Sequence, residues 1–276
     1  MKKELENSKK NYKSSDHTFA ICAYKESPYL ASCIKSLLNQ SVTSNIIMVT
    51  STPCEYIENI AAKYSIPLYI NTGESGIAGD WNYAYEMAKT SLVTIAHQDD
   101  IYEEKYTYEI LTAANKSKRS IILFTDYGEL RNGKRVVKNK LLKVKRIMLW
   151  PLKARLFHGS RFVRRRILSM GSPICCPSVC YNKEQCPRKI FTKHFMSDVD
   201  WQAWEKLSRL KGSFVYIPSI QMLHRIHEES ETTRIIGDNR RSKEDYEMYC
   251  KFWPAPIARF IEHFYNKGEQ SNNLNE

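Results

Sequence analysis

Two carboxylates stand side by side at Asp99 and Asp100, where the apolar run Ser91 to Ala96 gives out in His97-Gln98-Asp99-Asp100. Adjacent carboxylates repel, and a divalent cation bridging them to phosphate oxygens is one reason to keep them together. The plainer reason is local, a cap on a helix from Ile101 to Ala114. A second acidic pair, Asp198 and Asp200 in SDVDWQAWEKL, falls near the cap of another amphipathic run. Arg225 and His227 lie in QMLHRIHEESETTR, a segment dense in ionisable groups.

The elements that must position these groups follow from periodicity. Ile77, Trp81, Ala84, Tyr85 and Ala88 recur three or four apart, which predicts a helix over Ile77 to Lys89 packed on a sheet, and LVTIA suits a buried parallel strand. The carboxyl ends of such strands are where open α/β sheets place ligand chemistry. Upstream, FAICAY (19–24), NIIMVT (45–50) and PLYIN (67–71) read as strands, with helices from Tyr29 to about Asn39 and from Ser51-Thr52-Pro53 through Ala62. Repeated βα alternation predicts an α/β fold with a mainly parallel central sheet flanked by helices. IILFTDYGEL (121–130) is a further strand before a hairpin turn at Arg131-Asn132-Gly133-Lys134. The run Phe195 to Leu210 is a helix whose Trp201, Trp204 and Leu207 form a core stripe, SFVYIP (213–218) is a strand, and two short helices divided at Pro254 and Pro256 end the chain. The expected organisation is a flexible arm (1–17), an α/β half (18–135), a basic amphipathic helical insertion (136–170), a second half with C-terminal helices (171–265) and a flexible tail (266–276).

The net charge of +12 is unevenly spread. Between Arg131 and Arg166 there are fourteen Lys or Arg residues and no Asp or Glu. That field favours an anionic surface. Within it, LLKVKRIMLWPLKARLF mixes large apolar residues with basic ones, and Pro151 should kink or divide it. Two compatible readings stand: a helical subdomain with a solvated basic face, or an amphipathic surface lying on anionic lipid. No apolar run approaches the roughly 18–20 residues that span a bilayer, and no signal-type segment follows the Lys-rich start, so the expected location is the cytoplasm. The eight cysteines suggest neither staples nor zinc, because their one cluster, Cys175, Cys176, Cys180 and Cys186, has no C-x2-C pair.

FAICAYKES, NTGESGIAGDWNYAYEMAKTSLVTIAHQDD, SDVDWQAWEKL and HRIHEES together, in this order and spacing over roughly residues 18–235, resemble the family 2 glycosyltransferases of GT-A fold. The resemblance implies transfer of a sugar from a nucleotide-sugar, with inversion, to an acceptor hydroxyl, assisted by Mn²⁺ or Mg²⁺. It assigns Asp99 as the main metal ligand, Asp100 to a second acidic position near donor sugar or metal, and His97 to the place where a first Asp often stands. Ala23, Tyr24 and Glu26 match the loop that contacts the nucleotide, Asp80 a position beside its pocket, and Arg225, His227 and Ser230 a loop that closes over the diphosphate. His227 completes the metal shell in this reading, and Arg225 meets phosphate charge. Asp198 is the general base, with Asp200 as its local rival.

One departure follows the second strand, where Thr50-Ser51-Thr52-Pro53 replaces the family's acidic pair. Thr50 or Ser51 then bonds the base more weakly, so UDP is expected with less force than the fold. The absence of a Gln-x-x-Arg-Trp motif favours one sugar per event. The basic block and family habit point to a glycan or polyprenyl-diphosphate-linked acceptor and to peripheral contact with the inner face of an anionic membrane. A metal-dependent nucleotidyltransferase is a rival, but Ala-Tyr-Lys-Glu is not its Gly-rich loop. A non-enzymatic RNA, polyphosphate or membrane binder using residues 131–166 is another, although the block's few aromatics suit base stacking poorly, so no nucleic-acid partner is expected.

Overall fold

The computed structural model describes residues 11–227 and 240–272. The N-terminal residues up to 10, Ser230 and the last four residues of the tail lie outside this range. Strands His17–Ala23 (β1), Asn45–Thr50 (β2), Leu68–Ile70 (β3) and Leu92–His97 (β4) lie parallel in the order β3-β2-β1-β4. Their crossovers carry α1 (Leu30–Leu38), α2 (Glu55–Lys63) and α3 (Ile77–Met87). β1 is buried along almost its whole length, which is why HTFAICA shows no apolar–polar alternation.

The second half of the sheet is mixed. Here β5 is Ile101–Tyr102, β6 Ser120–Arg131, β7 Lys134–Val136, β8 Val179–Asn182 and β9 Ser213–Ile226. β8 runs antiparallel to both β4 and β6, so it joins the two blocks, while β6 and β9 are parallel. The whole order is β3-β2-β1-β4-β8-β6-β9-β5, with β7 hairpinned on β6. Asn132 and Gly133 take positive φ of 49° and 76°, as a two-residue hairpin turn with strand-matching twist requires.

The helix predicted from Ile101 starts late. Ile101 and Tyr102 pair with Leu223 and Met222, and α4 spans Tyr106–Lys116 with Lys105 at its cap position. Neither Asp99 nor Asp100 caps it, so the local reading of that acidic pair fails. β9 also runs on past SFVYIP for 14 residues in all, which carries the ionisable HRI segment along the sheet to β5.

Apolar layers cover both faces of the sheet. One collects Tyr85, Tyr181, Trp201 and Trp204, and the other Leu30, Ile34, Tyr106 and Ile110. Trp201 and Trp204 lie on α7 (Val199–Ser208) and are both core, as their stripe predicts. The chain is anchored ahead of the expected boundary at residue 18. Tyr12 is buried, its amide donating to Asn115 Oδ1 at 2.7 Å, and His17 is fully buried in β1.

The basic block folds as α5 (Lys140–Leu149), two short 3-10 turns and α6 (Arg161–Leu168), divided at Pro151. Several of its charges have partners within the fold. Arg146 pairs with Asp126 at 2.7 Å, and Arg165 with Glu205 at 2.6 Å. Arg164, only 1% exposed, donates to the carbonyls of Ser208, Leu210 and Gly212 beyond the end of α7, where a cation offsets the helix dipole. Arg166 lies 4.5 Å from the ring of Trp253, between α8 (Arg240–Cys250) and α9 (Ala255–Asn272).

Candidate active site

The register of β1 with β4 sets Cys22 opposite His97, so the loops that leave both strands emerge together. Gln98 ties them: its Oε1 accepts from the Tyr24 amide and its Nε2 donates to the Tyr24 carbonyl, both at 3.0 Å. The Lys25 amide, at a φ of 52°, donates to Thr52 Oγ1 at 2.7 Å, which adds the loop after β2. Three strand ends are thus locked into one rim. Ala23 is buried at the end of β1, Tyr24 and Glu26 are exposed on the rim, and the Lys25 ammonium lies 5.1 Å from the Tyr24 ring.

Ser51 and Asp80 meet at the same edge. Ser51 Oγ donates to Asp80 Oδ2 at 2.8 Å, and Asn71 Nδ2 donates to Oδ1 at 2.7 Å. Asp80 therefore joins the ends of β2, β3 and α3 rather than capping a helix. Gly79 serves the chain itself, since a Cβ there would meet the Glu74 carbonyl oxygen at 2.1 Å.

Asp99 and Asp100 divide into different environments. Asp99 accepts from Ser27 Oγ at 2.8 Å through Oδ1, and its Oδ2 lies 3.2 Å from His227 Nε2. Its carbonyl accepts from Arg225 Nε at 2.8 Å, while that guanidinium lies 4.2 Å from the Tyr29 ring. Asp100 is fully buried, and its Oδ1 accepts from the Arg225 amide at 2.9 Å and from His224 Nδ1 at 3.0 Å. Burial by itself raises the Asp100 pKa, but the charge and hydrogen bond of His224, with His97 and the Arg225 amide, carry it below its ordinary value. Burial likewise works against a charged His224, and Asp100 overrides it, so the His224 pKa is raised. The pair is an ion pair that pins β9 to the end of β4. His97 stacks on Trp81 with ring centroids 4.9 Å apart, and burial lowers its pKa against the pull of Asp100.

Asp198 stands at the cap position of α7 without capping it, and is 7% exposed. The loop before it is gripped by Glu244 of α8, whose carboxylate accepts from the amides of Met196, Ser197 and Asp198 at 2.7–3.1 Å. Upstream, Asn82 of α3 bonds the amides of Ile190 and Phe191 and the carbonyl of Phe191, so the helix carrying Asp80 also steadies the approach to Asp198. Asp200 lies in the first turn of α7.

The described contacts therefore gather Asp99, Asp100, Arg225, His227 and His97 into one cluster, with Tyr24 tied to it through Gln98 and Ser51 to Asp80. Asp198 and Asp200 stand at the start of α7, where Asp200 Oδ1 accepts from the Trp201 amide. The sequence assigns no role to Ser27, Gln98, His224 or Glu244. Ser27 and Gln98 each sit beside a residue it named, but nothing in a linear reading points from Glu244 to residues 196–198.

The donor set suits a shared cation. A carboxylate oxygen and an imidazole nitrogen converge at Asp99 and His227, and carboxylate and imidazole ligands fit Mn²⁺ or, less tightly, Mg²⁺. Among the described residues no group of three or more His, Cys, Asp or Glu could hold a metal alone. Two protein donors fit an ion that takes its other ligands from a diphosphate and water.

This sheet, with acids at the end of β4, resembles that of the GT-A glycosyltransferases. The structure resembles residues 1–349 of TarS from S. aureus in complex with UDP-GlcNAc, with a TM-score of 0.64 and 14% identity over 94% of this chain and 76% of that one. It also resembles a mannosyltransferase from Pyrobaculum calidifontis in complex with GDP-Man and Mn²⁺, with a TM-score of 0.59 and 12% identity over 92% of this chain and 70% of that one. No curated protein matches the sequence. Residues 18–181, more than half of the chain, match glycosyl transferase family 2, and the chain belongs to that family. The match ends before Asp198, Arg225 and His227.

Proposed function

We propose that this glycosyltransferase moves a sugar from a nucleotide-sugar, with UDP the favoured nucleotide, to a hydroxyl of a glycan or polyprenyl-diphosphate-linked acceptor, with inversion at the anomeric carbon. The observation that carries this reading is the meeting of Asp99 with Ser27, Arg225 and His227 at the carboxyl edge of the sheet. The resemblance to structures that hold UDP-GlcNAc, or GDP-Man with Mn²⁺, supports a nucleotide-sugar donor.

In this mechanism Tyr24 and Glu26 meet the base and ribose from the exposed rim, and Ser51, itself bonded to Asp80, lines the base pocket. Asp99 and His227 would hold Mn²⁺ or Mg²⁺, which when bound neutralises charge on the departing nucleoside diphosphate. Arg225, held in place through Nε and the Tyr29 ring, turns its terminal amino groups to phosphate. Asp198 accepts the proton of the acceptor hydroxyl as its oxygen attacks the anomeric carbon and the bond to the diphosphate breaks on the opposite side. One base is enough, because the leaving group departs as a stabilised anion. Glu244 keeps Asp198 in place through three backbone amides. The acceptor's lipid carrier accounts for peripheral contact with the inner face of an anionic membrane.

Asp198→Asn tests the assignment. Donor binding should be retained, measured by calorimetry, while transfer falls by about 10²–10⁴-fold. Loss of donor binding as the primary defect would remove Asp198 from the role of base.

A further inference from the structure

Once its internal partners are set aside, the basic block has an unusual outer surface. Arg146, Arg164 and Arg165 serve the fold, whereas Lys138, Lys140, Lys143, Lys153, Arg155 and Arg161 are exposed, as is Arg166 where it rests on the Trp253 ring. Between these cations stand large apolar side chains in the open. Ile147 is 63% exposed, Trp150 68%, Leu156 85% and Phe162 73%. On α5, Val144 and Ile147 are one turn apart on the side away from buried Leu142 and Leu149, with Lys140 and Lys143 beside them. Phe162 and Met170 join this surface to the end of α5 across an apolar cavity of about 370 Å³ shared with Met148 and Pro151.

A soluble surface seldom gathers large apolar side chains without a partner for them. We propose that α5, the turn after it and the outer edge of α6 form a surface that inserts into an anionic phospholipid bilayer, apolar residues entering the acyl boundary and flanking cations meeting headgroup phosphates. Charge selects this occupant. With no Asp or Glu between residues 131 and 166, a second copy docked on the same face would set cation against cation. No helix among the described residues is long and apolar enough to cross a membrane, so the contact is interfacial. This goes beyond electrostatic attraction to the block as a whole: it names which cations take part, and makes apolar insertion half of the interaction. It does not depend on the transfer reaction.

The test is flotation of the full chain with vesicles of phosphatidylcholine alone or with about one third phosphatidylglycerol. The wild type should float only with the anionic vesicles and remain partly bound when salt is raised, since insertion is not screened. Ile147→Glu, Trp150→Glu and Phe162→Glu combined should lower the bound fraction about tenfold while donor binding is unchanged. Lys140→Gln, Lys143→Gln and Lys153→Gln combined should lower it mainly by slowing capture, an effect that raised salt mimics. If the apolar triple variant fails to fold, quenching of tryptophan fluorescence by brominated lipid serves instead, and it should diminish in Trp150→Phe. No flotation of the wild type, flotation unaltered in the apolar variant, unaltered quenching in Trp150→Phe, or loss of a solution dimer as the variant's one effect would each overturn the inference.

Discussion

The two ends of the β1–β4 ladder are made from the same two strands and do opposite things with polar side chains. At the amino end His17 lies 2.8 Å from Ser44 Oγ and 2.9 Å from Thr94 Oγ1, and Thr94 in turn reaches Tyr106 OH at 3.0 Å. That network is neutral and closed, and burial pushes the His17 pKa down to about 3. At the carboxyl end the network is charged, and only half of it is closed. Asp100 pairs with His224 through Oδ1 and keeps Oδ2 buried without a hydrogen bond among the described residues, while Asp99 keeps its carboxylate at the rim with Ser27 and His227. A buried polar cluster stabilises when each member has its partner, and a site needs a member held in place yet able to meet a ligand. Of the adjacent pair, Asp100 fastens β9 in the interior and Asp99 is the member at the rim.

The charged end is the more vulnerable of the two. His224→Ala leaves Asp100 buried without its cation, and should cost roughly 2–4 kcal/mol of stability in urea unfolding. A cost under about 0.5 kcal/mol, the range of an ordinary surface change, would show that the ion pair does not pin β9. The neutral end yields a smaller, pH-dependent effect. The folded pKa of His17 is depressed, so its contribution is fully present above the unfolded value near 6.5 and is lost as pH falls toward the folded value of about 3. Between pH 7.5 and 5 it should remove about 2 kcal/mol, since the unfolded chain takes up a proton that the folded one refuses. His17→Gln should flatten that part of the curve. An equal slope in the variant would place the pH dependence elsewhere.

The same contrast marks what the sequence disclosed. Strands β1, β2 and β4 and helices α1 and α3 were legible because a buried parallel strand is an unbroken apolar run and its crossover helix has a clear stripe. The position of Asp99 just past a strand end was legible from the apolar run that precedes it. β5 was not, because two residues carry no period, and missing it made a helix cap of the acidic pair. His224 and Arg225 acquire their meaning only through the pairing of β5 with β9, a contact across more than a hundred residues. The basic block misled by composition: Arg164 and Lys140 read alike in sequence, yet one is buried against backbone carbonyls and the other stands in solvent. Glu244 had no signal at all, since its partners are backbone amides.

The account rests on Asp99 as the rim carboxylate of a donor site. The direct measurement is calorimetric titration of UDP, GDP, CDP and TDP and their common sugar conjugates, with and without Mn²⁺, into the wild type and Asp99→Ala. One nucleotide should bind tightly and only with the metal, and the substitution should weaken it by about a hundredfold or more, a loss of at least ~2.7 kcal/mol. Metal-dependent binding that survives Asp99→Ala unchanged would contradict the account.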